Sequence, residues 1–237
     1  DTIRLPAGKF TLTRTGPGED LADTGDLDIT SDITIIGAGS SHSIVDGNFS
    51  DRLFDVKEGA SLTLQGLTLQ NGEEHYAGGI ANMGNLAMKD SLLTNNTATL
   101  AGGGAIHHDG TNGGVLTVST STFSNNTTKD VGGAISIVGG EISIQDSTFN
   151  ENVAIGNGGI GVETGSGGAI YAFKDFTMSI VNSTFSGNVA NQRHGGAIMV
   201  NSSHRDAATN IHSSTFTGNQ ATEYGGGIFS ERPLVIA

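Results

Sequence analysis

Gly132-Gly133-Ala134-Ile135 and, fourteen residues beyond its isoleucine, Phe149-Asn150-Glu151-Asn152 are two signatures that return along the whole second part of the chain. Gly-Gly-Ala-Ile recurs at 103–106, 167–170 and 195–198, with looser copies at Ala77-Gly78-Gly79-Ile80 and Gly225-Gly226-Gly227-Ile228. Phe-x-x-Asn recurs at Phe123/Asn126, Phe185/Asn188 and Phe216/Asn219, with Leu93/Asn96 as an earlier variant. Self-similarity at a fixed period marks a chain of stacked supersecondary units, so it is settled before any local reading.

The spacing describes the unit. The isoleucines stand at 80, 106, 135, 170, 198 and 228, in steps of 26, 29, 35, 28 and 30. From each Phe or Leu to the next Ile the interval is 13, 12, 21, 13 and 12, so this side is nearly fixed and carries one insertion within 153–166. From Ile to the next Phe it varies as 13, 17, 14, 15 and 18, which assigns variable loops to the opposite edge. Residues 1–72 lack the signatures but alternate apolar residues at period two, as in Ile3/Leu5, Phe10/Leu12, Leu27/Ile29, Ile33/Ile35 and Leu62/Leu64. Such alternation in short pieces means half-buried strands, and no sustained 3.6-residue stripe predicts a helix.

A helix-free unit of about 26–36 residues buries its apolar side chains by coiling, each strand pairing with its counterpart one coil later. The expectation is one all-β solenoid over 1–237, with N-terminal coils in 1–72 and repeat coils in 73–237. Phe149 should then stack on Phe123 and Phe185, the asparagine should hydrogen-bond its own turn in left-handed geometry, and Gly-Gly should supply the positive φ of the next corner.

Composition narrows the function. Cysteine is absent, which excludes a disulfide framework and thiolate metal sites. A net charge of −13, with 11 of the 24 acids in residues 1–60, disfavours nucleic acid and anionic membranes as partners. No run approaches the ~20 apolar residues of a membrane-spanning helix, so no membrane insertion is expected of this segment. The chain opens at Asp1 without an initiator Met and stops at Ala237 within what reads as a further strand, so it reads as an excerpt of a longer secreted protein.

The pairing of Gly-Gly-Ala-Ile with Phe-x-x-Asn resembles the repeats of the chlamydial polymorphic outer membrane proteins. Asp1-Thr2-Ile3-Arg4-Leu5-Pro6-Ala7-Gly8-Lys9-Phe10, Ile33-Thr34-Ile35-Ile36-Gly37-Ala38-Gly39 and Leu64-Gln65-Gly66-Leu67-Thr68-Leu69-Gln70-Asn71-Gly72 look like the first coils of large bacterial surface proteins with a pectate-lyase-like β-helix. The resemblance implies a right-handed, single-stranded parallel β-helix, secreted or on the bacterial cell surface, commonly in adhesion. Its motifs are structural and identify no substrate.

With isoleucine facing inward, the next residue faces outward: Ala81, His107, Ser136, Tyr171, Met199 and Phe229. Exposed rings there would stack on sugars, which makes His107, Tyr171, Met199 and Phe229 the ligand-binding candidates; the competing reading is that side loops cover the strip. Five residues before their isoleucines stand Asp130 and Arg193, two coils or about 10 Å apart. With His194, His107 and Tyr171 they could form a lyase-like site, Arg193 neutralising a uronate while a His or Tyr removes its α-proton. Solvated loop residues account for the same pattern, and the calcium-binding aspartate cluster of pectate lyases and the paired acids of polygalacturonases are missing.

No cofactor is expected. Calcium is conceivable at Glu19, Asp20, Asp23, Asp26 and Asp28, whose carboxylates suit a hard cation. His107-His108-Asp109 and His204-Arg205-Asp206 are compact, but strand neighbours point to opposite faces and rarely share one ion. The expected function is a non-catalytic adhesin or structural stalk whose partners are glycans or a host or neighbouring cell surface. The alternatives are a polysaccharide lyase or hydrolase acting on acidic glycans, and a subunit self-associating through its solenoid ends.

Overall fold

The computed structural model describes residues 1–14, 16, 24–157, 164–201 and 208–237. They form a right-handed parallel β-helix with no helix among the described residues. The described strands form four ladders of parallel strands, the fourth joined only from residue 73 on. The first runs from Leu27–Ile29 through Phe54–Val56, Ile80–Asn82 and Ile106–Asp109 to Ile198–Asn201 and Ile228–Ser230. The second runs from Thr2–Arg4 through Ser61–Gln65 and Val115–Ser119 to Ala208–His212 and Leu234–Ile236. In two coils both ladders are crossed by one long strand, Ile135–Gln145 or Ile170–Val181, whose pairing shifts register between Val138 and Gly140. The third ladder runs from Gly8–Thr11 to Thr215–Thr217 and the fourth from Glu73–Tyr76 to Gln220–Ala221. Residues 1–72 enter the same ladders, so Val45 and Leu69 hold the column that phenylalanine holds later.

The core consists of like residues stacked at the strand spacing. Ile80, Ile106, Ile135, Ile170 and Ile198 are register partners and fully buried. Phe123, Phe149, Phe185 and Phe216 stack with ring centroids 4.8, 4.7 and 4.9 Å apart and planes within 4° of parallel. Burying each such side chain contributes about 1.5–3 kcal/mol.

Three corners join the ladders, and two differ from the expectation. Asn126, Asn152 and Asn188 do not bond their own turn. Each points inward, and its Oδ1 accepts from the backbone N–H and Nδ2 of the equivalent asparagine one coil earlier, at 2.9–3.1 Å. Each Nδ2 also donates to a main-chain carbonyl of the preceding coil, as Asn152 does to Phe123 O at 3.0 Å. The left-handed residue is the one before the asparagine: Asn95, Asn125, Glu151, Gly187 and Gly218 all have φ between 54° and 64°. Bonding across coils wins because a buried amide must satisfy donor and acceptor sides together, and its own turn offers too few partners.

A second polar corner precedes the phenylalanine. Ser121 Oγ donates to Ser119 O at 2.8 Å and accepts from Ser91 N at 3.2 Å, and Ser147 and Ser183 repeat the pattern. At the Gly-Gly corner the two glycines differ. Gly132 has φ 69°. Gly133 is not left-handed but lies where a Cβ would meet Gly168 O at 2.1 Å and Val153 N at 2.6 Å, so it is needed for the close approach of adjacent coils.

Candidate functional site

Strand alternation turns the residue after each inward isoleucine outward, and the register pairs Ala81, His107, Ser136, Tyr171, Met199 and Phe229 in that order. The strip is nevertheless covered. Met199 is fully buried, Tyr171 8% and His107 5% exposed; Val131 at the Gly-Gly corner forms a small apolar cluster with Tyr171 and Met199, with Phe173 and Phe229 against it, and Tyr76 lies against His107. A flat, open stacking surface through Met199 and Tyr171 is therefore corrected. Phe229 remains half-buried at one end of the strip.

The exposed rings, Tyr76 and Tyr224, belong to a column four residues before the isoleucine, which also holds His194 with only 11% of its side chain exposed. Tyr224 is 65% exposed; its ring lies 5.3 Å from His194 and 6.1 Å from Phe229, and His194 stacks on Phe229 at 4.5 Å with planes 25° apart. Sequence reasoning missed Tyr76 and Tyr224, although the chain has only three tyrosines, 76, 171 and 224, and all three lie along this face.

The five residues of the lyase-like constellation divide into two groups. His107, Asp130 and Tyr171 line one recess of about 230 Å³ together with Tyr76 and Ser136. Arg193 and His194 sit beside Glu223, whose Oε2 is 3.9 Å from Arg193 Nη1 and 3.4 Å from His194 Nε2. In the recess, His107 Nε2 and Tyr76 Oη are 2.9 Å apart, and the two rings meet edge to face at 4.5 Å. Burial pushes His107 down to about 4, so the imidazole is neutral. Burial raises Tyr76 and also Asp130, whose Oδ2 accepts one long bond from Gly102 N at 3.4 Å. The Tyr171 hydroxyl accepts from Asn201 Nδ2 at 3.1 Å. A second recess of about 230 Å³, lined by Arg52, Asp55 and Asp109, lies on the other side of Tyr76 and His107.

The other candidates are occupied by internal pairing. His108 faces the core, its Nδ1 2.7 Å from Asn82 Nδ2, so it turns away from His107 as alternation requires. Arg52 Nε pairs with Asp26 and Arg52 Nη2 lies 3.6 Å from Asp55, while Lys57 Nζ lies 2.9 Å from Asp28 and 3.0 Å from Asp55. Glu19, Asp20, Asp23, His204, Arg205 and Asp206 lie outside the described residues. Among the described residues no three His, Asp or Glu side chains are grouped to hold a metal ion.

The Chlamydia polymorphic membrane protein repeat matches residues 120–138, 182–201 and 213–231. Each match runs from the left-handed residue before the serine corner to the strand after the Gly-Gly corner, so the three together carry Asp130, Arg193, His194, Met199, Glu223, Tyr224 and Phe229. No curated protein and no solved structure matches the chain. Repeat and architecture agree: the chain is a parallel β-helix that carries repeats similar to those of the Chlamydia polymorphic membrane proteins.

Proposed function

We propose that this β-helix is a non-catalytic segment of a bacterial surface protein, an adhesin or stalk that contacts glycans through the ring platform of His194, Tyr224 and Phe229. The observation that carries the reading is Tyr224, a ring 65% exposed yet held in a stack with two others, as sugar-stacking aromatics are. The matched repeats support the surface location, since they are those of a bacterial membrane protein family. Against the lyase alternative, the one cation of the constellation, Arg193, stands beside Glu223 instead of lining the recess of His107 and Asp130. Uronate chemistry needs that cation at the carboxylate while the base removes the proton.

The test is retention of the chain on an immobilised glycan panel and on cells, run beside an assay for unsaturated uronate products. Binding that Tyr224→Ala abolishes without a change in melting temperature supports the platform. Retention unaffected by Tyr224→Ala sinks it, and product release that disappears in His107→Ala returns the lyase.

A further inference from the structure

The recess between Tyr76 and Tyr171 is a separate place from the Tyr224 platform, and its chemistry is different. Its volume of about 230 Å³ falls below the ~300–1,000 Å³ of sites for drug-sized ligands, which leaves room for a small group only. Aromatic side chains, Tyr76, Tyr171 and Phe173, supply much of its wall. Among the described residues that line it, Asp130 is the one carboxylate and none is Lys or Arg. Among the described residues the 3.4 Å bond from Gly102 N is the only hydrogen bond that reaches that partly buried carboxylate, and burial raises its pKa. His107 gives no compensation because it is neutral. Among the described residues, two further atoms of the wall, His107 Nδ1 and Thr164 Oγ1, on residues only 5% and 6% exposed, have no hydrogen-bond partner. Native interiors seldom leave such atoms unpaired unless a site is to be completed from outside.

We propose that this recess binds an organic ammonium group, paired with the Asp130 carboxylate against the rings of Tyr76, Tyr171 and Phe173. An anion is repelled by Asp130. A neutral hydroxyl compound leaves the carboxylate without a counter-charge. An ammonium group supplies that charge and is attracted to aromatic faces as well. A quaternary amine and a hexosamine with a free amine share this chemistry and are told apart by the probes below.

Isothermal titration of the whole chain with choline and with glucosamine, using glucose and N-acetylglucosamine as uncharged controls, tests the assignment. The expected result is binding of at least one ammonium probe and of neither control. The stronger probe then identifies the quaternary or the hexosamine source. Asp130→Asn, nearly isosteric, should weaken the bound probe by about tenfold or more, as loss of a charge-assisted contact does. Tyr76→Leu should weaken it severalfold while Tyr76→Phe, which keeps the ring, does not. Binding of the neutral controls with equal affinity, an unchanged Asp130→Asn, or no binding by either ammonium probe overturns the proposal. Tyr224→Ala should leave this binding intact, so failure of the platform and failure of the recess are read separately.

Discussion

Replacing Asn152 by alanine should be among the most damaging single changes in the chain although it removes no apolar contact of note. Asn152 is fully buried. Its Oδ1 accepts from Asn126 N–H at 3.1 Å, a donor with no other acceptor among the described residues, and its Nδ2 donates to Phe123 O at 3.0 Å. The amide of Asn126 and the Oδ1 of Asn188 lose one bond each but retain others, at Leu93 O and Asn152 N respectively. One main-chain donor, Asn126 N–H, is thus orphaned in a dry interior at about 1–3 kcal/mol, and Phe123 O loses one bond while keeping its place in the strand ladder, so the expected loss is about 2–4 kcal/mol. Asn219, half-buried, makes the equivalent bonds to Asn188 N and Phe185 O where water can replace them, and Asn219→Ala should cost about 1 kcal/mol. Asn152→Asp separates hydrogen bonding from size. At neutral pH its carboxylate would face Phe123 O and Asn188 Oδ1, two acceptors, and should cost more than alanine; protonation restores a donor, so the defect should shrink on acidification. Urea unfolding of the three variants at pH 7 and pH 4 measures all of this. Asn152→Ala no worse than Asn219→Ala, or an Asn152→Asp defect indifferent to pH, would refute the argument that the ladder holds the corner through its bonds.

Gly133→Ala should unfold the chain or cost several kcal/mol, since its Cβ would lie 2.1 Å from Gly168 O; Gly59→Ala, left-handed at φ 80° but facing open space, should cost about 1–2 kcal/mol in the same melts. Stability should also fall in mild acid. Burial holds His107 and His108 down at about 4, so as pH drops from 6.5 the unfolded chain takes up protons that the folded chain refuses; the stability present above pH 6.5 is lost towards pH 4, by at most about 3 kcal/mol per histidine. Asp26 opposes this trend, because burial pushes it up to about 6 and the folded chain therefore takes its proton first between pH 6 and 4. Asp26→Asn removes the offset, and a variant whose acid limb is no steeper than the parent's would contradict the assignment.

The ladders were legible because stacking converts a spatial repeat into a spacing. The isoleucine and phenylalanine columns could be read from the intervals alone, and Phe149 lies between Phe123 and Phe185 as the spacing requires. Hydrogen-bond partners were not legible, because Asn152 looks the same in sequence whether it bonds its own turn or the coil beyond. The serine corner was missed for a related reason: Ser121, Ser147 and Ser183 sit among many serines and threonines and carry no apolar contrast. Parity gave the outward direction of Tyr171 and Met199 correctly, but direction is not exposure, and only the fold shows Val131 packed against them. The placing of Asp130 in one recess and of Arg193 beside Glu223 is likewise a property of the corners, whose path the intervals constrain only in length.

The sameness of the corners has a consequence for growth of the molecule. Every coil of the repeat region, from residue 73 on, presents the coil after it with one asparagine, one serine, one glycine pair and one inward ring or aliphatic residue in fixed order. Excision or duplication of a whole unit therefore joins surfaces that already match, whereas loss of half a unit sets asparagine against phenylalanine and fails everywhere at once. Length in this protein is quantised: recombination between its own repeats can lengthen or shorten the rod in steps of about 4.8 Å without designing a new interface.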